Sequence, residues 1–463
     1  MATKTDDAEE LKALEAVQQW TGEEEKALVR KIDTKLVPWI MLLYLLGYLD
    51  RVNIGNAKVS NSEVPGASME STLGLDATQY SWSVAIFFFG YVIFEVPSNI
   101  LLKVYSPSRW LSRIMVTWGI CAMCMAAVQN FPGLLTARLF LGIMESGSFP
   151  GFIYYYTFWY KQREQATRVA LFFSMASVAG AFSGLLASAI SFLNGTAGLE
   201  GWRWIFLSEG IPSIIAGVLV WFFLPNFPQT ETKWLTDRER YIAISRLPPT
   251  APSHTHKSFE FGELVKTVSN PWTWVFNLSN FCVNAQLYTV SYFNPTIIKN
   301  LGYTSYIAQL MTVPPYVAAF VWTLGLGWNS DRTGERPLHV CASFLLAMVG
   351  FIMNLVLDVK ASTALKYLGV FLGTMGSFGT IPCINAFRTK TMRGSATSAA
   401  VATASMIATG NIGGIVAPFL FPNTAGPQYT FGTITILVLQ GLGILGMLIL
   451  RHVYRNVGDG VPV

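Results

Sequence analysis

The sequence is short of charge. Asp, Glu, Lys and Arg make up 13% of its 463 residues, against about 25% in ordinary soluble domains. Cysteine is scarce, and Cys121, Cys124, Cys282, Cys341 and Cys383 all fall in apolar segments. They read as small packing residues, the C-x-x-C of Cys121 and Cys124 included, not as redox or metal chemistry. Histidine is scarcer still: His254 and His256 share a polar loop that offers no further ligands, so no metal site is read. The first 34 residues are charged and hold no short apolar core of the signal-peptide kind. The first apolar helix is expected to serve as its own insertion signal. No constellation of catalytic side chains is present, so the chain is not read as an enzyme, and no cofactor is expected.

What is abundant is apolar. Hydrophobic residues reach 52%, aromatics 14%, and there are 39 glycines, a composition that suits closely packed membrane helices. Stretches of about 20 apolar residues mark membrane spans, and twelve are found: 36–58, 79–102, 108–128, 132–158, 167–193, 203–224, 272–298, 305–328, 337–357, 364–387, 395–421 and 428–450. The fold class is therefore an all-α membrane protein of twelve transmembrane helices. Its expected parts are an N-terminal tail (1–34), a six-helix bundle (35–225), a polar central loop (226–270), a second six-helix bundle (271–453) and a C-terminal tail (454–463). Twelve spans put both termini on one side. Of the 32 basic residues, 25 fall on that side and five on the other: Lys58, Arg203, Lys299, Lys360 and Lys366. Basic residues favour the cytoplasm, so the termini and central loop are expected there. Because they cluster in loops, the net charge of +5 implies no nucleic-acid partner. In the central loop, Thr236 and Glu239 have the spacing of a capping box, which predicts a short helix against the cytoplasmic face.

Four charges stand out within apolar spans of the first third. Asp50 and Arg51 end the run VPWIMLLYLLGYL, and Arg138 and Glu145 lie in ARLFLGIMESGSFPGF, about two helical turns apart on one face. A charge at the centre of a membrane helix costs roughly 2.5–3.5 kcal/mol on insertion scales, so such residues usually line a polar pathway. Tyr44, Gly47, Tyr48, Arg51 and Gly55 share one face of span 1, with Asp50 turned about 100° away. Arg51 is therefore expected to face a cavity while Asp50 contacts span 4. In span 7, Asn277, Asn280, Asn284, Tyr288 and Ser291 step by three and four and share a face, with Gln286 and Tyr292 nearby. Glu95 and Glu209 are read as gate or packing residues, Asn385 and Asn411 as weaker cavity candidates, and Gly180 and Gly184 as points of close helix approach.

Between spans 8 and 9, Gly327, Asp331, Arg332, Gly334 and Arg336 fit G-x-x-x-D-R-x-G-x-R. This resembles the signature loop of the major facilitator superfamily, which implies two six-helix halves rocking around a central cavity and a gate latched by Asp331, Arg332 and Arg336. The equivalent first-half loop, NILLKVYSPSRW, is degenerate, with Lys103 about where the Asp should stand. YLDRVNIGNA, EVPSNILLK, RLFLGIMESGSFPGFIYYYTFWYKQRE and GWRWIFLSEGIPS, with YFNPTIIKNLGY and AQLMTVPPY later, resemble the anion:cation symporter family. The likeness is to its fungal branch of allantoate-permease-like and vitamin-acid (nicotinate-type) transporters, and it covers nearly all of residues 30–453.

The resemblance implies proton-coupled import of a small organic anion, with Arg51 and Arg138 holding the anion and Asp50 and Glu145 carrying the proton. The residues agree: a guanidinium presents a planar fork that matches a carboxylate bidentately, and a carboxylate that loses its Arg partner to a substrate takes up a proton more readily. Tyr44, Tyr48, Asn53, Asn284, Gln286 and Tyr288 are the further substrate-binding candidates. The expected partners are a small carboxylate, a proton and the lipid bilayer, in a monomer at the plasma membrane. Rival readings are an exporter of a secondary metabolite, a sugar facilitator and a transport-dead nutrient sensor. Span 5, SVAGAFSGLLASAISF, lacks the proline of drug antiporters, buried arginines suit an anion better than a sugar, and the short tails argue against signalling. No nucleotide-binding loop is present, which argues against ATP-driven transport.

Overall fold

A computed structural model describes residues 20–230, 234–247, 261–357, 362–391, 396–422, 425–426 and 428–456, and among them there is no strand. The spans of the first half are Gly22–Val59 (span 1), Ala77–Val104 (span 2), Pro107–Met125 (span 3), the pair Phe131–Glu145 and Ser148–Thr157 (span 4), Gln162–Ile190 (span 5) and Gly201–Phe223 (span 6). Those of the second half are Pro271–Asn300 (span 7), the pair Ser305–Leu310 and Val313–Thr333 (span 8), Arg336–Val356 (span 9), Thr363–Thr391 (span 10), Ala396–Leu420 (span 11) and Thr430–Asn456 (span 12). Among the described residues, nine helices are long and apolar enough to cross a membrane on length and composition. The other spans fall short for visible reasons. Span 3 carries Arg109 and Arg113 in its first two turns, span 4 is cut in two, and asparagines dilute span 7.

Three element boundaries differ from the sequence reading. Span 1 starts well before residue 36, because Thr21 and Glu24 form a capping box and Glu23, Glu24 and Glu25 fill the first turn, where acidic side chains favour a helix N-terminus. Span 4 breaks after Glu145: Gly147 adopts φ +77°, and a side chain there would also strike Ser98. Span 8 breaks between Leu310 and Val313. His254 and His256 lie outside the described residues.

Within the first half, span 3 packs on 6, span 2 on 4 and span 1 on 5. In the second half span 9 packs on 10, span 7 on 11 and span 8 on 10. The halves meet along spans 5 and 8, 2 and 11, and 1 and 7. The joining bonds lie toward the side remote from the termini. Gln309 donates to the Asn56 carbonyl at 3.0 Å and Ser81 to the Pro418 carbonyl at 2.9 Å. Glu63, in the loop after span 1, accepts from the Ser305 N–H and hydroxyl at 2.5 Å each, so the first half caps a helix of the second. Lys299 bonds Ser62 in the same place. Gly184 and Gly180 sit in this seam, as expected of close approach: a Cβ on Gly184 would lie 2.2 Å from Thr312 Oγ1 and 2.7 Å from the Gln309 carbonyl.

On the side of the termini the first half is tied to itself. The capping box of Thr236 and Glu239 forms and starts a helix at Asp237–Ser245. Lys31 bonds Glu239 at 2.8 Å, Arg238 bonds Glu24 at 3.0 Å, and Arg168 grips both oxygens of Asp33 at 2.6 Å. Arg246, its side chain fully buried, bonds Glu25, Glu164 and the Trp159 carbonyl. Arg246→Ala is expected to lower stability by about 2 kcal/mol, since charge-assisted bonds contribute about 1.5–3 kcal/mol. Lys31→Ala is expected to stay within about 1 kcal/mol because that pair is solvent-screened. Thermal unfolding in one detergent would check both, and equal effects would contradict the burial argument. Burial pushes the Glu239 carboxyl up, but the Lys31 ammonium and the Thr236 N–H outweigh it and hold the group below the ordinary carboxylate value. Its contribution is therefore fully present above that ordinary value and is lost as pH falls through the depressed one.

Candidate functional site

A cavity lies between the halves, on the termini side of the seam, with about 530 Å³ of empty space including its mouth. Its first-half wall includes Tyr44, Tyr48, Arg51, Tyr91, Phe149 and Phe173. Facing them are Asn280, Asn284 and Tyr288 of span 7, Asn385 of span 10 and Asn411 of span 11. Spans 1 and 7 reach it through their polar faces, since i, i+3 and i+4 positions share one side of a helix. Toward the seam the cavity is roofed by rings. Tyr48 meets Phe378, Phe378 meets Tyr316, and Phe88 stands edge-on to Tyr288.

Arg51 is the cation in this wall. It bonds Glu145 of span 4, donates to the Tyr288 hydroxyl of the opposite half at 3.2 Å, and stacks on Phe87 and Tyr91 at 5.3 and 5.0 Å. Tyr288 in turn donates to Asn411 at 3.1 Å. A polar chain thus runs from span 4 through spans 1 and 7 to span 11. The break in span 4 explains part of the placement. Glu145 is the last residue of the helix Phe131–Glu145, where unsatisfied carbonyls carry partial negative charge. A carboxylate there is unfavourable alone and is offset by the guanidinium.

The sequence brings these charges near one another but does not fix which meets which. Arg138 and Glu145 share a helix face yet stand about 10 Å apart along its axis, so they do not bond each other. Arg138 is fully buried outside the cavity wall. Its Nε donates to the Ser83 carbonyl at 3.2 Å, its guanidinium stacks on Phe87 at 5.2 Å, and its terminal nitrogens lie beside the Tyr292 hydroxyl. Phe87 is therefore shared by two guanidiniums. Asp50 does turn away from Arg51, but toward spans 3 and 6, not span 4: Trp118 Nε1 donates to it at 2.9 Å and Ser213 Oγ at 2.6 Å.

Among the other candidates, Tyr44 packs with Phe149, Phe172 and Phe173, and Tyr48 exchanges a 2.8 Å hydrogen bond with Ser291. Asn284 donates back to the Asn280 carbonyl of its own helix at 2.9 Å. Gln286 and Asn53 are not in the cavity wall. Gln286 faces span 12, where Gln440 donates to it at 2.8 Å, and Asn53 is fully buried beside Glu209. Both point off the face that Tyr288 and Arg51 share, which helical spacing alone could have shown. Tyr91, Phe149 and Phe173 are cavity residues to which the polar patterns do not point. Phe87 and Tyr91, four apart on span 2, carried the available signal: an aromatic face that stacks on a cation.

In the loop between spans 8 and 9, Gly334 takes φ +72° and ends span 8. Arg336 bonds Asp331 at 3.0 Å and also the Ala386 carbonyl of span 10. Arg332 stacks on Trp328, and the neighbouring Glu335 bonds Arg451 of span 12 at 2.9 Å. The Arg451 guanidinium holds the Glu335 carboxyl below its usual range. These bonds staple four spans of the second half. Among the described residues, no group of three or more His, Cys, Asp or Glu is arranged to hold a metal ion.

Comparison with known proteins agrees with this architecture. The family model described as Major Facilitator Superfamily matches residues 40–418. The chain is 39% identical over 364 residues to the MFS transporter prlL of a fungus (strain NRRL 50135), covering 78% of this chain and 72% of that one. It is 34% identical over 398 residues to a putative tartrate transporter of Agrobacterium vitis, covering 86% and 85%. Among solved structures, a bacterial homologue of the human lysosomal transporter Spinster, inward-facing and occupied, superposes with TM-score 0.66 at 15% identity, covering 90% of this chain and 97% of that one. The xylose transporter XylE of E. coli, partially occluded and inward open, gives TM-score 0.66 at 16% identity, covering 92% and 99%. Twelve spans in two halves, a polar cavity between them and these likenesses converge: the chain belongs to the major facilitator superfamily and is a multi-pass membrane transporter of a small molecule, not an enzyme.

Proposed function

We propose that this transporter is a proton-coupled symporter that imports a small carboxylate across the plasma membrane, its termini in the cytoplasm. The observation that carries the reading is Arg51, a cation of the cavity wall bonded at once to Glu145 of its own half and Tyr288 of the other. A substrate carboxylate entering the cavity competes with Glu145 for the guanidinium. Glu145 then loses its counter-charge while buried, where an unpaired carboxylate is costly, and takes a proton instead. Anion and proton therefore load together with little net charge to bury. Tyr288 and Asn411 supply neutral hydrogen-bonding groups for the rest of the substrate. Arg138, behind Phe87, adds positive potential without a direct bond in this conformation. The sealed far side and the paired Arg51 and Glu145 fit a state that faces the cytoplasm after both cargoes have left. The relative named as a putative tartrate transporter fits a carboxylate cargo.

Uptake of a panel of labelled carboxylates into transporter-null yeast, in acidic and neutral medium and with or without a protonophore, tests the reading. Acid-stimulated, protonophore-sensitive accumulation of one compound is expected. No accumulation of any compound, with the protein confirmed at the cell surface, would overturn import in favour of export or sensing. Glu145→Gln is expected to abolish pH-driven accumulation while retaining some exchange of substrate for substrate. Concentrative uptake at the normal rate by that variant would remove Glu145 from the coupling role.

A further inference from the structure

Among the described residues, the middle of the first half buries more carboxyl groups than the cations beside them can balance. Asp50, Glu95, Glu145 and Glu209 are all at most 3% exposed, and the guanidiniums of that region are Arg51 and Arg138. The other buried cations of this half, Lys58 and Arg203, sit at the far end and meet Glu70 and Glu200. An uncompensated ion in such surroundings costs several kcal/mol. Four carboxyls against two guanidiniums reach neutrality only when two of the four carry protons.

For three of the four, the hydrogen bonds distinguish the forms. Glu145 is bonded to Arg51. Asp50 has the better support for the ionised form, because the Trp118 N–H and the Ser213 hydroxyl both donate to its Oδ2, although its Oδ1 has no partner. Glu209 has weaker support, from Ser183 and the neighbouring Asn53 amide. The Ser183 hydroxyl reaches its Oε1 at 3.4 Å, and its Oε2 has no partner. Beside it lies Asn53, 0% exposed, whose amide is close enough to act on the Glu209 carboxyl, although neither its Oδ1 nor its Nδ2 has a partner at full hydrogen-bond geometry. A buried amide oxygen without a donor is costly, and a protonated Glu209 supplies the missing O–H, which a carboxylate cannot. The charged groups that act on Asp50 are Glu145 and Arg138 from span 4, and on Glu209 the charge is Asp50 itself. Span 3 presents Trp118 and span 5 presents Ser183, both uncharged.

We propose that Asp50 and Glu209 form a proton site set apart from the cavity, between spans 1, 3, 5 and 6, with one proton held on Glu209 and donated toward Asn53 in this conformation. Ser213 lies between Asp50 and the backbone of Glu209. Its hydroxyl lies 2.6 Å from Asp50 Oδ2 and 3.1 Å from the Glu209 backbone carbonyl, and it has one proton to give. It serves Asp50 while Asp50 is ionised and turns to the carbonyl when Asp50 gains a proton. The site concerns a proton held by the resting protein, so it stands or falls independently of symport.

Infrared difference spectra of the purified full chain in lipid at neutral pH test it. The wild type minus Glu209→Gln difference is expected to show a protonated-carboxyl stretch that shifts in heavy water, and Asp50→Asn is expected to retain that band. Equal band intensity in Glu209→Gln overturns the proposal, and loss of the band in Asp50→Asn overturns the placement on Glu209. Asn53→Leu covers the case in which Glu209→Gln fails to fold. Removing the acceptor is expected to move the same band to higher frequency, and an unmoved band counts against the site. A failed uptake assay leaves these spectra unchanged, so the two readings are separable.

Discussion

Arg51→Lys is expected to reduce carboxylate uptake by about a hundredfold, as the loss of roughly 3 kcal/mol of charge-assisted bonding would. The charge survives the substitution, so a purely electrostatic role would leave most of the activity. What is lost is the fork. Arg51 bonds a carboxylate on one side and a hydroxyl of the opposite half on the other, while its plane lies over Phe87 and Tyr91. An ammonium is a point charge on a flexible stem and cannot hold a carboxylate bidentately or stack in the same way. The informative measurement separates affinity from turnover with the substrate found in the uptake panel. A raised KM together with a lowered maximal rate is expected, because the same side chain binds the anion and releases Glu145. Unchanged uptake in Arg51→Lys would mean that only net charge matters at this position.

Gly184→Leu is expected to hold the far side open and to slow transport at least about tenfold, the result of a shift of roughly 1.4 kcal/mol or more in the balance of conformations. The contact is unforgiving because a Cβ would meet the Gln309 backbone carbonyl at 2.7 Å as well as Thr312 Oγ1 at 2.2 Å. Backbone cannot rotate away as a side-chain tip can. The check is the reactivity of a cysteine at Ser291, which lies in the roof of the cavity against Tyr48. A membrane-impermeant thiol reagent added on the far side should label it in Gly184→Leu and not in the parent. Equal labelling and equal transport in the two would show that the seam tolerates separation there without a change in the cycle.

The twelve spans were legible because span length and apolar content follow directly from the thickness of a bilayer. The charged positions were legible for the same reason, since charge stands out against apolar sequence. Pairing was not. Which carboxylate meets Arg51 depends on how spans 1 and 4 are rotated and on the break at Gly147, and a helix-face argument within one span contains neither. The break had a local signal in Ser146-Gly147-Ser148, but a run of apolar residues on both sides masks it. Gln286 shows the opposite error: its polarity attracted attention, while its angular position on span 7 pointed it at Gln440. Glu209 is the clearest case of tertiary information. Its neighbours Asp50, Asn53, Ser183 and Ser213 come from three different spans, counting its own, so no spacing rule could assemble them.

The bonds of the protein are unevenly distributed. Arginine ion pairs lace the central helix, span 1 and the start of span 5 into one body, and a second set staples spans 8, 9, 10 and 12. The surfaces that face each other across the far side are joined mainly by hydroxyls, amides and backbone carbonyls, each contributing about 1 kcal/mol when water is the alternative partner. Water can replace those bonds one by one as the surfaces part. The molecule therefore has a built-in line of cleavage: under load the seam opens like a zip, and each half moves as a solid piece.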